Sequence, residues 1–394
     1  FYPGTIVGFL VTPSMVARIG VKRTQAVTCS SAIIGCTIHL LAELAVYQGE
    51  MVVGTILSIG RLLIGIQAGA SLCLLPLYII EISPLEHRPF LSTFQQVSQA
   101  LGSLLGLLIG SEEIIHLGSS RFTYLQFFAV FPSILFEGIL AFTPKTPLEL
   151  MRKHAKTTEL IESTFFYYGT TSPPNEIQDK YSARRKSLTQ KFEKRPLRKS
   201  LKGFLVGVGA SASYAFTADD LIDTFSAKML TVHYDLCATS SASVVISVYL
   251  GVILLITSIF GIFLVDRFGR RHLLLFGLFG SSAAMCLPAF FPEQKLLVSL
   301  GFTLTKAFIG LGAGAPPWFL TSELVDCSHV SLLQSLSTGV LLISTMLVTF
   351  SYLQLELLIG SYSVLVLSSG PSLFLAIILA FFLPETKNRT NDEV

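Results

Sequence analysis

About eleven apolar runs, each long enough to form a helix across a lipid bilayer, recur along this chain of 394 residues. They lie around 1–17, 25–47, 51–80, 90–111, 122–142, 203–224, 242–265, 272–291, 296–324, 331–356 and 360–383. A spanning helix needs roughly 20 mostly apolar residues to cover about 30 Å of hydrocarbon. The strands of an outer-membrane barrel would alternate over only about ten residues, so the pattern predicts helices. Charged residues make up 13% of the chain, against roughly a quarter in a soluble domain. The bilayer is the solvent that fits, and the expected fold class is an all-α multi-pass membrane protein.

The charges that remain are placed with a bias. Fourteen of the 28 Lys and Arg residues fall in 143–202, the one long polar stretch. Others cluster at 18–23, at Arg88, at 267–271, and at Lys387 and Arg389. These positions fall at every second helix boundary, as cytosolic loops require. The alternate boundaries carry Glu50, Glu112, Glu113, Asp235 and Glu293. Counting back from a cytosolic 18–23 turn places Phe1 outside. With no initiating Met, the expectation is that one leading helix of twelve is missing. The expected division is a first helical bundle over 1–142, a basic cytosolic linker over 143–202, a second bundle over 203–383 and a cytosolic tail over 384–394. Leu148 to Tyr168 is compatible with a helix lying on the cytosolic face. The cations after it suit anionic lipid headgroups, at about 1 kcal/mol each, better than nucleic acid.

The six cysteines are scattered, most of them within apolar runs, and read as small buried hydrophobes. No pair has metal-ligand spacing. No nucleophile–base set or phosphate loop stands out, so neither an enzyme nor a bound cofactor is expected.

A basic knot, Asp266-Arg267-Phe268-Gly269-Arg270-Arg271, separates two apolar runs, and a weaker copy, Arg18-Ile19-Gly20-Val21-Lys22-Arg23, lies about half a chain upstream. A cationic turn repeated at matching points suggests a transporter made of two similar bundles. Such cations can pair with helix-end carboxylates: Glu81 with Arg18 or Arg88, and Glu323 with Arg267 or Arg270. Pairs present in one access state only would act as a latch; the plainer reading is that the cations anchor loops in the cytosol. The stretch Gly312-Ala313-Gly314-Ala315-Pro316-Pro317 should break or bend its helix, and transporters use such breaks to expose backbone to substrate. Trp318, the one tryptophan, could stack on a ligand face or sit in an interfacial aromatic belt. Asp219, Asp220 and Asp223 share an apolar run, and Lys306 lies in another. The acids could carry a coupling proton, pair with Lys306, or line a watery vestibule. Gly65, Gly69 and Gly102 are candidates for close helix packing.

Taken in order, these landmarks resemble the sugar porter family of the major facilitator superfamily, in its animal facilitative glucose-transporter form. Gly60-Arg61, Pro76-Leu77-Tyr78, Glu81-Ile82-Ser83-Pro84 with Arg88, Gln96, the 266–271 turn, the 312–319 stretch with Glu323, and Pro384-Glu385-Thr386-Lys387-Asn388-Arg389-Thr390 carry the resemblance. It implies the major facilitator fold, with two helical bundles and about 11 of 12 spans present. It also implies passive alternating access for a small organic solute, a sugar or polyol, at the plasma membrane. It makes Gly312, Gly314, Pro316 and Pro317 a hinge, and places Trp318 and Gln96 beside the substrate. The family's paired glutamines fall on Tyr214 and Ala215, its following Asn on Asp220, and two further Asn positions on Leu254 and about Leu341. Amide donors are thus exchanged for apolar bulk and acid. The alternative is a transport-inactive relative acting as a sensor or binding protein. The upstream turn has Ala17 and Val21 where the family carries an acid and a cation. Pro144-Lys145-Thr146-Pro147-Leu148 lacks the Glu and Arg of the family's Pro-Glu-Ser-Pro-Arg.

Overall fold

A computed structural model describes residues 1–44, 49–83, 88–110, 121–152, 157–169, 197–234, 241–325 and 329–386. Most of the basic linker, the acidic boundary residues Glu112, Glu113 and Asp235, and Lys387 and Arg389 lie outside the described residues, as do the side chains of Arg88 and Asp266. Among the described residues the regular structure is helical throughout: α1 Tyr2–Ile19, α2 Val21–Leu44, α3 Glu50–Ile82, α4 Arg88–Gly110, α5 Arg121–Phe142, α6 Pro147–Arg152, α7 Thr157–Tyr168, α8 Leu197–Ala215, α9 Asp219–Tyr234, α10 Ser241–Phe268, α11 Arg270–Phe290, α12 Lys295–Phe308, α13 Pro316–Leu324, α14 Val330–Ile359 and α15 Gly370–Phe382. Seven stretches are long and apolar enough to cross a membrane by length and composition: Val21–Ala42, Glu50–Ile79, Val245–Val265, Arg270–Phe290, Lys295–Leu324, Val330–Tyr362 and Leu365–Phe382. The other apolar runs are also helical, in α1, α4, α5 and the α8–α9 pair. Helix α4 spends positions on Gln95, Gln96, Gln99 and Ser103, and the run over 203–224 is cut in two. Large apolar side chains such as Phe131, Phe263, Phe350, Phe374 and Phe381 face outward, as a hydrocarbon solvent permits.

The chain divides into two compact units. The first comprises Phe1–Arg88, Ser120–Lys202 and Val325–Gly339; the second comprises Pro89–Ser119, Gly203–Leu324 and Val340–Val394. In the first, α1 and α3 meet backbone to backbone through Gly4, Gly8, Gly65 and Gly69. A Cβ at any of the four would lie 2.1–2.3 Å from a carbonyl oxygen of the facing helix, so only glycine fits. Gly102, the third candidate for such packing, faces open space instead. Helix α2 meets α5 through the Ser30 hydroxyl, which donates to Glu137 at 2.8 Å. Helix α7 is tied down by Tyr167, whose hydroxyl donates to the Pro144 carbonyl at 2.9 Å and lies 3.1 Å from that of Tyr78.

In the second unit, Leu221, Ile222, Leu250, Met285, Phe302 and Tyr352 form one buried cluster. Leu274, Leu278, Ala313, Leu320 and Leu379 form another. Two interruptions in this unit bear on the site; the last span also widens, into a π-helical turn over Leu365–Ser369. Helix α12 widens into a π-helical turn over Ile309–Ala313, and α13 restarts at Pro316. The break follows from the Gly-Pro sequence, since proline cannot donate the helical bond. The second interruption, between α8 and α9, has no glycine or proline. Phe216 and Thr217 form a turn, with Thr217 N–H and hydroxyl both donating to the Tyr214 carbonyl, at 3.0 and 2.7 Å. Ala218 then adopts φ 69° while fully buried, a left-handed conformation that L-residues other than glycine rarely take.

Candidate functional site

The two interruptions place their side chains in one continuous polar group. Gln96 is buried in α4, and its Oε1 accepts the Trp318 indole N–H at 3.2 Å. Trp318 stands in the first turn of α13, just past the proline pair, 2% exposed. An interfacial belt residue would be accessible at one edge; this one is enclosed. Its ring packs on Tyr214 with centroids 5.2 Å apart. Gly314 makes room for this pairing, because a Cβ there would lie 2.7 Å from the Gln96 amide carbon. The other Gln96 amide atom, Nε2, is buried without a hydrogen-bond partner.

From Tyr214 the group continues into charge. The Tyr214 hydroxyl donates to Asp219 Oδ2 at 2.6 Å and accepts from Gln99 Nε2 at 3.2 Å. Lys306, fully buried in α12, meets Asp219 Oδ1 at 2.6 Å and Asp223 Oδ1 at 2.5 Å. Asp219 and Asp223 stand four apart and so share a helix face. Lys306 also donates to the Asp219 backbone carbonyl at 3.1 Å, and Ser103 donates to Asp223 Oδ2 at 2.9 Å. Of the three readings open for the acids, the geometry realises pairing with Lys306 for Asp219 and Asp223. Asp220 points elsewhere: it is partly accessible and lies beside Thr345. Gln99 and Ser103 were not anticipated, although their spacing of three and seven from Gln96 puts all three on one face of α4. The interruption at 216–218 was not anticipated either; the available signal was the acidic pair Asp219-Asp220, which suits a helix first turn.

The repeated basic turns also find partners. In the second half, Gly269 (φ 86°, ψ 167°) precedes α11. The Glu385 carboxylate accepts the backbone N–H groups of Arg270 and Arg271 at 3.1 and 3.3 Å. An anion at a helix N-terminus satisfies otherwise orphaned donors. Glu323 accepts the Thr386 hydroxyl at 2.7 Å and lies 3.7 Å from Arg270. Arg271 donates to the Ala380 carbonyl at 2.6 Å, and Arg267 is exposed beside the Phe268 ring. In the first half, Gly20 has nearly the same conformation, φ 88° and ψ 166°. The carboxylate over it belongs to Glu149: a Cβ on Gly20 would lie 2.4 Å from the Glu149 carboxyl carbon. Glu81 accepts the Thr146 hydroxyl at 2.6 Å, and that hydroxyl also accepts the Glu149 N–H at 3.3 Å. Among the described residues Arg18 is exposed at the end of α1 and makes no ion pair. Sequence reasoning passed over Glu149, because the family's carboxylate stands at 145, where this chain has Lys.

A family profile described as sugar (and other) transporter matches residues 1–394. The rat protein named solute carrier family 2, facilitated glucose transporter member 3, is 26% identical over the whole chain and 80% of its own length. A facilitated glucose transporter protein 1 of Caenorhabditis elegans is 26% identical over 85% of this chain and 68% of its own. Among solved structures, the proton:xylose symporter XylE bound to 6-bromo-6-deoxy-D-glucose superposes with a TM-score of 0.84 at 19% identity, covering this whole chain and 86% of that one. Its inward-open form from E. coli gives 0.74 at 20% identity, over 99% of this chain and 85% of that one. The fold is therefore that of the major facilitators, and the chain is a multi-pass membrane protein.

Proposed function

Because the chain belongs to the sugar (and other) transporter family, we propose that it carries a small hydroxylated solute, a sugar or polyol, passively across the plasma membrane by alternating access. The moving bodies are the sequence halves 1–142 and 203–383, the 312–317 break is a hinge, and the solute binds at Gln96, Trp318, Tyr214 and Asp220. The observation that carries this reading is the Gln96 amide, which gives its oxygen to the indole and keeps a buried N–H donor without a partner. An unmet buried donor is costly, and a solute hydroxyl arriving beside the Trp318 face would meet it. The relatives named as glucose transporters support the substrate class.

The test is counterflow in proteoliposomes with a panel of neutral sugars and polyols. Saturable exchange is expected for at least one of them, and Trp318→Leu should lower it at least tenfold at normal expression. Unchanged kinetics in that variant would remove Trp318 from the site. If no solute exchanges, the second reading takes over: a transport-inactive relative that binds or senses, favoured by the amide positions now held by Tyr214, Asp220, Leu254 and Leu341.

A further inference from the structure

The charges around Lys306 do not balance. All three ammonium protons are committed, to the Asp219 carboxylate, the Asp219 carbonyl and the Asp223 carboxylate. The remaining oxygen of each acid is also taken, by Tyr214 and Ser103 respectively. Lys306 therefore has no proton left for an anionic ligand. Among the described residues Asp220 makes no ion pair; Asp219 and Asp223 beside it carry its own sign, and Lys306, the opposing charge in reach, is already paired to both of them. Three carboxylates thus face one ammonium.

Asp220 and Asp223 are both partly accessible while Asp219 is 3% exposed, but Asp223 is already held by Lys306. Thr345, itself 7% exposed, turns its hydroxyl toward Asp220 and makes no hydrogen bond of standard geometry. The Tyr214 ring, which packs on Trp318, lies within electrostatic reach of Asp220. On the two glutamines bonded to Tyr214 and Trp318, Gln99 Oε1 and Gln96 Nε2 are a buried acceptor and a buried donor without partners. Within a membrane-spanning protein a carboxylate without a counter-charge of its own is expensive unless something brings positive charge to it. The remaining vacancies ask for hydroxyls.

Resting on the solute-binding role proposed above, we infer that the solute bears an ammonium group as well as hydroxyls, as in an amino sugar or amino polyol, with Asp220 as the anchor of the ammonium. Gln99 then supplies the acceptor that the family's usual amide positions lack here.

Trp318 is the chain's one tryptophan, so its fluorescence reports binding at this group whether or not transport follows. The purified full chain is titrated with glucosamine, kept protonated, and with glucose and N-acetylglucosamine. Glucosamine should bind at least tenfold tighter than either neutral sugar. Asp220→Asn should bring the ratio close to one, and Asp220→Glu should restore most of it, which separates charge from folding. Equal binding of charged and neutral sugars by the unmodified chain overturns the inference and leaves the neutral-solute reading standing. A preference that persists in Asp220→Asn also overturns it. Glucose uptake driven by a proton gradient and lost in Asp220→Asn would assign the balancing charge to a proton and overturn it too. If no sugar, charged or neutral, changes the fluorescence or exchanges in liposomes, the solute-binding reading fails with it.

Discussion

The turn at Gly20 and the turn at Gly269 share a backbone conformation to within two degrees in φ and one in ψ, yet they obtain their carboxylates from different places. The second draws Glu385 from the segment after the last helix, and the first draws Glu149 from a short helix after α5. A threonine hydroxyl donates to a helix-end glutamate in each, Thr386 to Glu323 and Thr146 to Glu81. The repeat is therefore spatial. What recurs is an acid over a left-handed glycine at a helix start, and the chain is free to deliver that acid from whichever residue the fold brings there.

The largest effects are expected at the glycines. Both occupy a region of φ and ψ open in practice to glycine alone, and a Cβ at either would run into the carboxylate. Gly20→Ala and Gly269→Ala should each destabilise by about 3 kcal/mol, read as thermal melting in detergent. If only Gly269→Ala does so, the two turns are not equivalent. Next come the acids. Glu149→Gln and Glu385→Gln remove a charge but keep one acceptor oxygen, and each should cost about 1–2 kcal/mol; a silent Glu149→Gln would mean that this carboxylate merely lies near the turn. The threonines follow. Thr146→Val and Thr386→Val should cost about 1 kcal/mol each, with Thr146 the larger because its hydroxyl also accepts the Glu149 N–H. The smallest effect is expected at the Arg270–Glu323 pair, long at 3.7 Å, with Arg270 buried and Glu323 partly exposed. Arg270→Lys keeps the charge and should change melting by less than about 1 kcal/mol. Replacing Glu323 should nonetheless shift access-state labelling if the pair is a latch, and unaltered labelling would leave it an anchor.

Much of this architecture was legible because the residue types involved have few other uses. Long apolar runs dictate spanning helices, paired basic turns dictate a repeat, and a Gly-Ala-Gly-Ala-Pro-Pro stretch dictates a break. The other break was hidden, since Phe216, Thr217 and Ala218 carry no glycine or proline. It is held from outside, by Lys306 on the Asp219 carbonyl and by Ser368 on the Phe216 carbonyl at 2.7 Å. Pattern along the chain cannot show a conformation imposed by side chains of distant helices. Glu149 was hidden for the same reason, being recruited by proximity to a turn far upstream. Gln99 and Ser103 could have been found, as they continue the face that Gln96 begins.

The glycine seam between α1 and α3 has a mechanical consequence. With carbonyl oxygens seated where side chains would otherwise stand, at four positions on two helices, neither rod can slip along or roll over the other without losing its fit. They form one stiff strut. Any rearrangement of this protein must bend it elsewhere, and a single methyl placed on that strut would serve as a wedge.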